Sequence, residues 1–145
     1  MIRATHLLET NSSSDQVGDE IELDFDLRHR RRLVLTSKSG LRFLLDLEKT
    51  TALIDGDQLA LDNGSKVTVR AKAERVAEIT ANSPQHLVQI AWHLGNRHLP
   101  TQILPNCLRI LEDHVIVELA RGLGATVKLC DAPFQPEGGA YEHGH

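Results

Sequence analysis

Asn82-Ser83-Pro84-Gln85-His86-Leu87-Val88-Gln89-Ile90-Ala91-Trp92-His93-Leu94-Gly95 is the stretch that decides the fold. Ser83 is a helix-capping residue type and Pro84 suits a first helical turn. Leu87, Ile90, Ala91 and Leu94 follow at i, i+3, i+4, i+7 spacing, which puts one apolar face on a helix. Gly95 is expected to supply the left-handed residue that ends it. Upstream, Ala77 and Ile79 close a strand; downstream, Thr101 to Leu104 and Cys107 to Leu111 read as short strands separated by Pro105-Asn106. Asp113 then opens a second helix carrying Val115, Ile116, Leu119, Ala120 and Leu123, stopped by Gly122 and Gly124. A last strand alternates Val127 and Leu129 with Thr126 and Lys128. The order is βαββαβ, the ferredoxin-like arrangement of two helices on one face of an antiparallel sheet.

Residues 1–70 read as β-structure. Ile21, Leu23, Phe25 and Leu27 alternate with Glu22, Asp24, Asp26 and Arg28, so all four apolar side chains are expected on one face of a strand. Leu33 to Thr36, the turn Ser37-Lys38-Ser39-Gly40, and Leu41 to Leu45 form an expected hairpin, and Asn63-Gly64 precedes another strand around Val67 and Val69. Asp55-Gly56-Asp57 lacks the later ligands of a calcium loop and reads as a turn. The expected fold class is therefore α+β: an all-β N-terminal domain over residues 1–70, shaped as a small sandwich or barrel, a ferredoxin-like domain over 71–134, and a tail over 135–145. That tail has no apolar periodicity and carries adjacent glycines, so it is expected to be flexible.

Composition narrows the function classes. A hydrophobic fraction of 41% and a charged fraction of 25% suit a soluble globular chain of 145 residues. No apolar run approaches the roughly 20 residues of a membrane helix, and the N-terminus lacks a signal-peptide pattern, so the expected location is cytoplasmic. Cys107 and Cys130 lie in apolar runs and are expected to be small core residues. A net charge of -4 argues against nucleic acid as a partner, although Arg28-His29-Arg30-Arg31-Arg32 is a basic patch, expected to be a solvated strand edge or turn. No nucleophile elbow, phosphate-binding loop, Cys-x-x-Cys pair or His-Glu-x-x-His helix is present, so an enzyme is not expected.

Eight histidines against two cysteines make a ligand set for a borderline divalent ion such as nickel, copper or zinc. His98, three residues past Gly95, falls in a loop at one end of the α/β module; its alternative role is to hydrogen-bond the loop backbone. One imidazole cannot hold an ion firmly, and a two-fold dimer that sets His98 beside its mate would add a partner. His114 falls in the first turn of the second helix, where the helix dipole opposes positive charge; its alternative is an exposed polar residue beside Glu112 and Asp113. His143 and His145 stand two apart on the tail and form either a weak metal-collecting arm or a plain polar end. His86 and His93 share a helix face two turns apart, about 10 Å, which is too far for one ion, and read as solvated or interface residues. His6 and His29 receive no role.

Four runs together carry a resemblance: Gly95-Asn96-Arg97-His98-Leu99-Pro100, Asp113-His114-Val115, Leu123-Gly124-Ala125, and Ala132-Pro133-Phe134-Gln135-Pro136-Glu137-Gly138-Gly139-Ala140-Tyr141. The chain resembles the UreE family of urease accessory proteins, mainly over residues 84–145 and more weakly through Asp55-Gly56-Asp57 and Asn63-Gly64. The resemblance implies a homodimeric nickel metallochaperone with an N-terminal domain for peptides or partners and a C-terminal metal-binding domain. It implies that His98 meets its mate at the two-fold axis, that His114, His143 and His145 are auxiliary ligands, and that the partners are the urease accessory GTPase and apo-urease. Ni(II) would be cargo, for which Zn(II) or Cu(II) could substitute. Glu112 stands where some relatives carry a further histidine, and the tail has fewer histidines than the long tails of others, so storage capacity is expected to be small. Because protons compete for imidazole ligands, binding is expected to weaken below about pH 6.5.

Two other classes compete with this reading. A general zinc or copper buffer would use the same ligands, and copper binds most imidazole sites more tightly than nickel. A nucleic-acid or peptide adaptor would draw on Arg28 to Arg32, but base-stacking modules need sheet aromatics and the expected C-terminal strands carry no Phe, Tyr or Trp.

Overall fold

The computed structural model describes residues 1–8 and 18–138. It is mixed α+β and separates into two compact units, Met1–Lys72 and Ala73–His145. Among the described residues no helix is long and apolar enough to cross a membrane.

The N-terminal unit is rich in strands: β1 (Arg3–Leu7), β2 (Asp19–Leu23), β3 (Arg32–Thr36), β4 (Arg42–Asp46), β5 (Gln58–Leu61) and β6 (Lys66–Ala71), in the spatial order β2-β6-β5-β1-β4-β3. β3 and β4 pair antiparallel with Leu35 opposite Phe43, joined by the turn in which Gly40 takes a φ of 94°. Inward side chains from every strand, among them Ala4, Ile21, Leu35, Phe43, Leu59 and Val67, form one core. The two edge strands meet at one point. The Lys38 amide, just past β3, donates to the Glu20 carbonyl of β2 at 2.8 Å, and the Asp19 carboxylate accepts from the Ser37 and Ser39 hydroxyls and the Ser39 amide. The sheet is therefore curled until its edges are clasped.

The expected strand from Ile21 to Leu27 stops at Leu23. Asp24 accepts a hydrogen bond from the Leu27 amide at 2.9 Å and caps a single helical turn, α1 (Phe25–Arg28), so this unit is not purely β. The capping bond gives the backbone an alternative to the ladder, and alternation of residue types does not register that competition. Arg28 also departs from the expected basic surface: it is buried, with Nε donating to Leu23 O and Nη1 to Leu53 O, both at 3.1 Å. Arg30, Arg31 and Arg32 are exposed.

In the C-terminal unit the elements run β7 (Ala73–Thr80), α2 (Pro84–Asn96), β8 (Gln102–Ile103), β9 (Leu108–Leu111), α3 (His114–Gly122) and β10 (Thr126–Pro133). Their antiparallel strands lie in the order β10-β7-β9-β8. Ala77 and Ile79 of β7 and Leu108 and Ile110 of β9 face Ile90 and Leu94 of α2 and Ile116, Val117 and Ala120 of α3 in one core. Val115, expected on the apolar face of α3, is 66% exposed; Val117 takes that place. Cys107 and Cys130 are free and half-buried rather than core residues, and neither belongs to the cluster between the sheet and the helices.

Candidate metal centre

The His98 loop is built by the way α2 ends. Ser83 starts the helix by accepting from the His86 amide at 3.1 Å, and the helix runs through Gly95 to Asn96. It then closes with a paired C-terminal motif: the His98 amide donates to Gly95 O at 2.9 Å and the Leu99 amide to Leu94 O at 3.3 Å. That closure requires a left-handed residue just after the cap. The residue is not Gly95 but His98, with φ 57°, the one non-glycine of positive φ among the described residues. The ring is thereby carried on a sharp reversal of the chain, at an exposed position.

His114 is the first residue of α3 and is exposed; Asp113 caps the helix, its carboxylate accepting from the Val115 and Ile116 amides at 3.0 and 3.2 Å. With Glu112, Val117, Arg121 and Leu129 it borders a cavity of about 360 Å³. Glu112 is engaged by Arg75 at 3.6 Å, and Arg75 also meets Asp131 at 3.8 Å, so the carboxylate beside His114 shares one cation with a second carboxylate. His143 and His145 lie outside the described residues. Within the described part of one chain, no three His, Cys, Asp or Glu side chains gather as a metal cluster, so His98 and His114 are not brought together with further ligands.

The other histidines have different occupations. His86 was expected to be solvated or at an interface, yet its ring bridges the two helices: Nδ1 accepts from the Asn82 amide at 3.1 Å, which leaves Nε2 to donate to Leu123 O at 2.7 Å. Both nitrogens are used, so His86 is not a ligand. His93 packs edge-on against Trp92, with ring centroids 5.2 Å apart. His29 stacks on Phe25 in the other unit, and His6 lies 3.2 Å from the Thr5 hydroxyl. The thiols do not make a soft site either. Burial pushes the Cys107 thiol up, and the neighbouring Glu78, whose carboxylate is held below its ordinary range by the Arg109 hydrogen bond, adds to that.

Comparison with known proteins matches both units of the chain. The model for "UreE urease accessory protein, N-terminal domain" covers residues 2–72 and that for the C-terminal domain covers residues 74–145. The chain belongs to the UreE family of urease accessory proteins. A UreE from Bradyrhizobium sp. (strain ORS 278) is 55% identical over 100% of this chain and 70% of its own length. Others from Rhodopseudomonas palustris (strain HaA2) and Chelativorans sp. (strain BNC1) are 52% and 44% identical over 100% of this chain and over 67% and 90% of their own lengths. UreE is a family of accessory proteins, not of enzymes.

The motif around His98 marks the loop as a candidate but not its shape, because a histidine in the left-handed position runs against residue preference. The bridging role of His86 is not written in the sequence either, since one of its partners, Leu123 O, lies 37 residues along the chain. The apolar periodicity of α2 hid a further feature: Val88 and Trp92, one turn apart, are 66% and 63% exposed on the face away from the core.

Proposed function

We propose that this chain is a nickel metallochaperone for urease maturation, in which two copies present His98 to one another and share a single Ni(II) ion as cargo. The observation that carries the reading is the left-handed His98. A non-glycine residue there costs about 1–2 kcal/mol, and such strain concentrates where a site needs it. An exposed imidazole on a rigid reversal is suited to meeting a symmetric mate without rearrangement. Val88 and Trp92 support the homodimer, since large apolar side chains exposed on a second helix face favour burial by another surface. The lack of a ligand cluster within the described part of one chain fits a site completed from outside it.

In this reading the ferredoxin-like region, residues 71–134, carries the metal site, residues 1–70 serve partners, and the C-terminal tail, 135–145, brings His143 and His145 as auxiliary ligands, with His114 a further one. Imidazole donors leave coordination positions open, so the ion passes by ligand exchange to a more complete site. The same donors accept Zn(II) or Cu(II), and imidazole alone gives nickel no advantage over them. The partners are the urease accessory GTPase and the urease apoprotein, in the cytoplasm, with neither nucleic acid nor membrane involved.

Titration calorimetry tests this. The wild-type chain is expected to bind one tight nickel per two chains and His98→Ala to lose it; unchanged affinity and stoichiometry in His98→Ala would overturn the assignment. Urease activation in cells lacking this protein, rescued by added nickel, separates delivery from a general zinc or copper buffer.

A further inference from the structure

The strand that receives the chain from the His98 loop is β8, only two residues long and at the edge of its sheet. Its ladder to β9 consists of two registered pairs, Gln102 with Arg109 and Ile103 with Leu108. So short a strand has little hold of its own. The chain beyond β10, expected to be loose from residue 135, adds to that hold and is itself fastened as far as Glu137. Phe134 is fully buried. The Gln135 amide donates to Gln102 Oε1 at 3.0 Å, the Glu137 amide to Thr101 O at 2.8 Å, and the Ile103 amide to Glu137 Oε1 at 3.4 Å. Behind these contacts Arg109 Nη1 donates to Pro133 O at 3.1 Å, while Nε and Nη2 of the same guanidinium hold Glu78 at 3.2 and 2.6 Å.

His98 lies between two holds. On the helix side the His98 amide donates to Gly95 O and the Leu99 amide to the carbonyl of the fully buried Leu94. On the strand side Thr101 Oγ1 donates to Leu99 O at 3.0 Å, and the carbonyl of the same Thr101 is the one that accepts from Glu137. Both backbone polar groups of Leu99, the residue after the left-handed His98, are therefore fixed, one from each side. A non-glycine residue at φ 57° persists only where its surroundings over-determine it.

We propose that Thr101 and Gln102 are positioning residues for His98, and that residues 133–137 are the brace that holds them, so that the loop backbone is set before an ion arrives. The inference rests on the nickel reading above. A loop that leaves its competent conformation binds in proportion to the time it spends there, so releasing the brace lowers the apparent affinity by that fraction. One hydrogen bond amounts to about fivefold in such an equilibrium, and an ion shared by two loops feels it twice.

The test uses the full chain: wild type, Thr101→Val, Thr101→Ser and Gln102→Ala, each titrated with nickel, with Thr101→Val and Gln102→Ala repeated in His98→Ala. Thr101→Val and Gln102→Ala are expected to weaken nickel binding about five- to twenty-fivefold, and Thr101→Ser, which restores the hydroxyl, to bind as wild type. In His98→Ala, whose remaining binding owes nothing to the loop, the same substitutions are expected to change nothing. Hydrogen exchange at the Leu99 amide gives a nickel-free readout, expected to accelerate in Thr101→Val and Gln102→Ala with the α3 amides unchanged. Wild-type affinity in both variants, equal weakening in His98→Ala, or a Thr101→Ser chain as weak as Thr101→Val overturns the brace and leaves the His98 assignment intact. A His98→Ala chain with wild-type affinity overturns the nickel reading and the positioning role with it.

Discussion

His98 and Gly124 occupy the same place in two helices of one unit. In α3 the Gly124 amide donates to Arg121 O at 2.9 Å and the Ala125 amide to Ala120 O at 3.0 Å, with Gly124 at φ 91°; in α2 the Gly95 and Leu94 carbonyls are closed the same way around His98 at φ 57°. One helix ends on the residue the motif favours and the other on an imidazole. His98→Gly is therefore expected to raise stability by about 1 kcal/mol, read as a higher urea midpoint at unchanged slope, while abolishing tight nickel binding. A variant that is both destabilised and still nickel-tight would remove the argument from strain.

The converse substitution tests the same motif at its ordinary position. A Cβ at Gly124 would meet the His86 ring at 3.4 Å, on a backbone whose φ already disfavours L side chains. Gly124→Ala is expected to cost about 1–2 kcal/mol, with metal stoichiometry unaffected. Thermal unfolding beside nickel titration checks both halves.

His86 is predicted to matter for stability and not for nickel. Its ring joins the Asn82 amide at the start of α2 to the Leu123 carbonyl at the end of α3, and His86→Ala leaves both groups short of a partner. A loss of about 1–3 kcal/mol is expected, with nickel per chain unchanged. A drop in stoichiometry in a variant that still melts cooperatively would instead make His86 a ligand.

What the sequence tells about this chain follows the range of the interactions. Ser83-Pro84 and the spacing of Leu87, Ile90 and Leu94 announce α2 because capping and amphipathicity are written within one helix. The break after Leu23 was hidden because Ile21 to Leu27 alternates as well as a strand does, and only the Asp24 side chain, bonded to the Leu27 amide, decides for a turn. His98 was legible as a candidate through its neighbours, but its left-handed backbone was not: the helix runs on past Gly95 to Asn96, so the closure falls on His98 and not on the glycine. Gln102 with Gln135 and Arg109 with Pro133 are contacts between distant segments, and no periodicity encodes them.

Acid is expected to loosen both units through different carboxylates. Asp19 is held below its ordinary range first by the Ser37 hydroxyl, Glu20 by its hydrogen bond from Arg70, and Glu78 by its hydrogen bond from Arg109. Because each native value is depressed, the unfolded chain takes up the proton first. The stabilisation is thus complete above the ordinary carboxylate value near 4 and is lost as pH falls below it towards the native values. Asp19→Ala should flatten this acid limb and, by leaving the buried Ser37 hydroxyl without its carboxylate, cost about 1–2 kcal/mol at neutral pH. Circular dichroism from pH 7 to 2 on both proteins checks the slope.

Trp92 tests whether the site needs a second chain. The ring is 63% exposed one helical turn from Val88, itself 66% exposed, and both belong to the helix whose end carries His98. If these side chains are buried between copies, a charge in place of the indole is held in an apolar contact without a partner, which costs several kcal/mol and shifts association by orders of magnitude. Trp92→Glu changes no described hydrogen bond and touches no candidate ligand, so the fold should persist. Sedimentation is expected to show dimers for wild type and monomers for Trp92→Glu, and nickel affinity should fall with the dimer although His98 is intact. Monomers of Trp92→Glu that keep wild-type affinity would place the complete ligand set within one chain, and the shared ion would have to be abandoned.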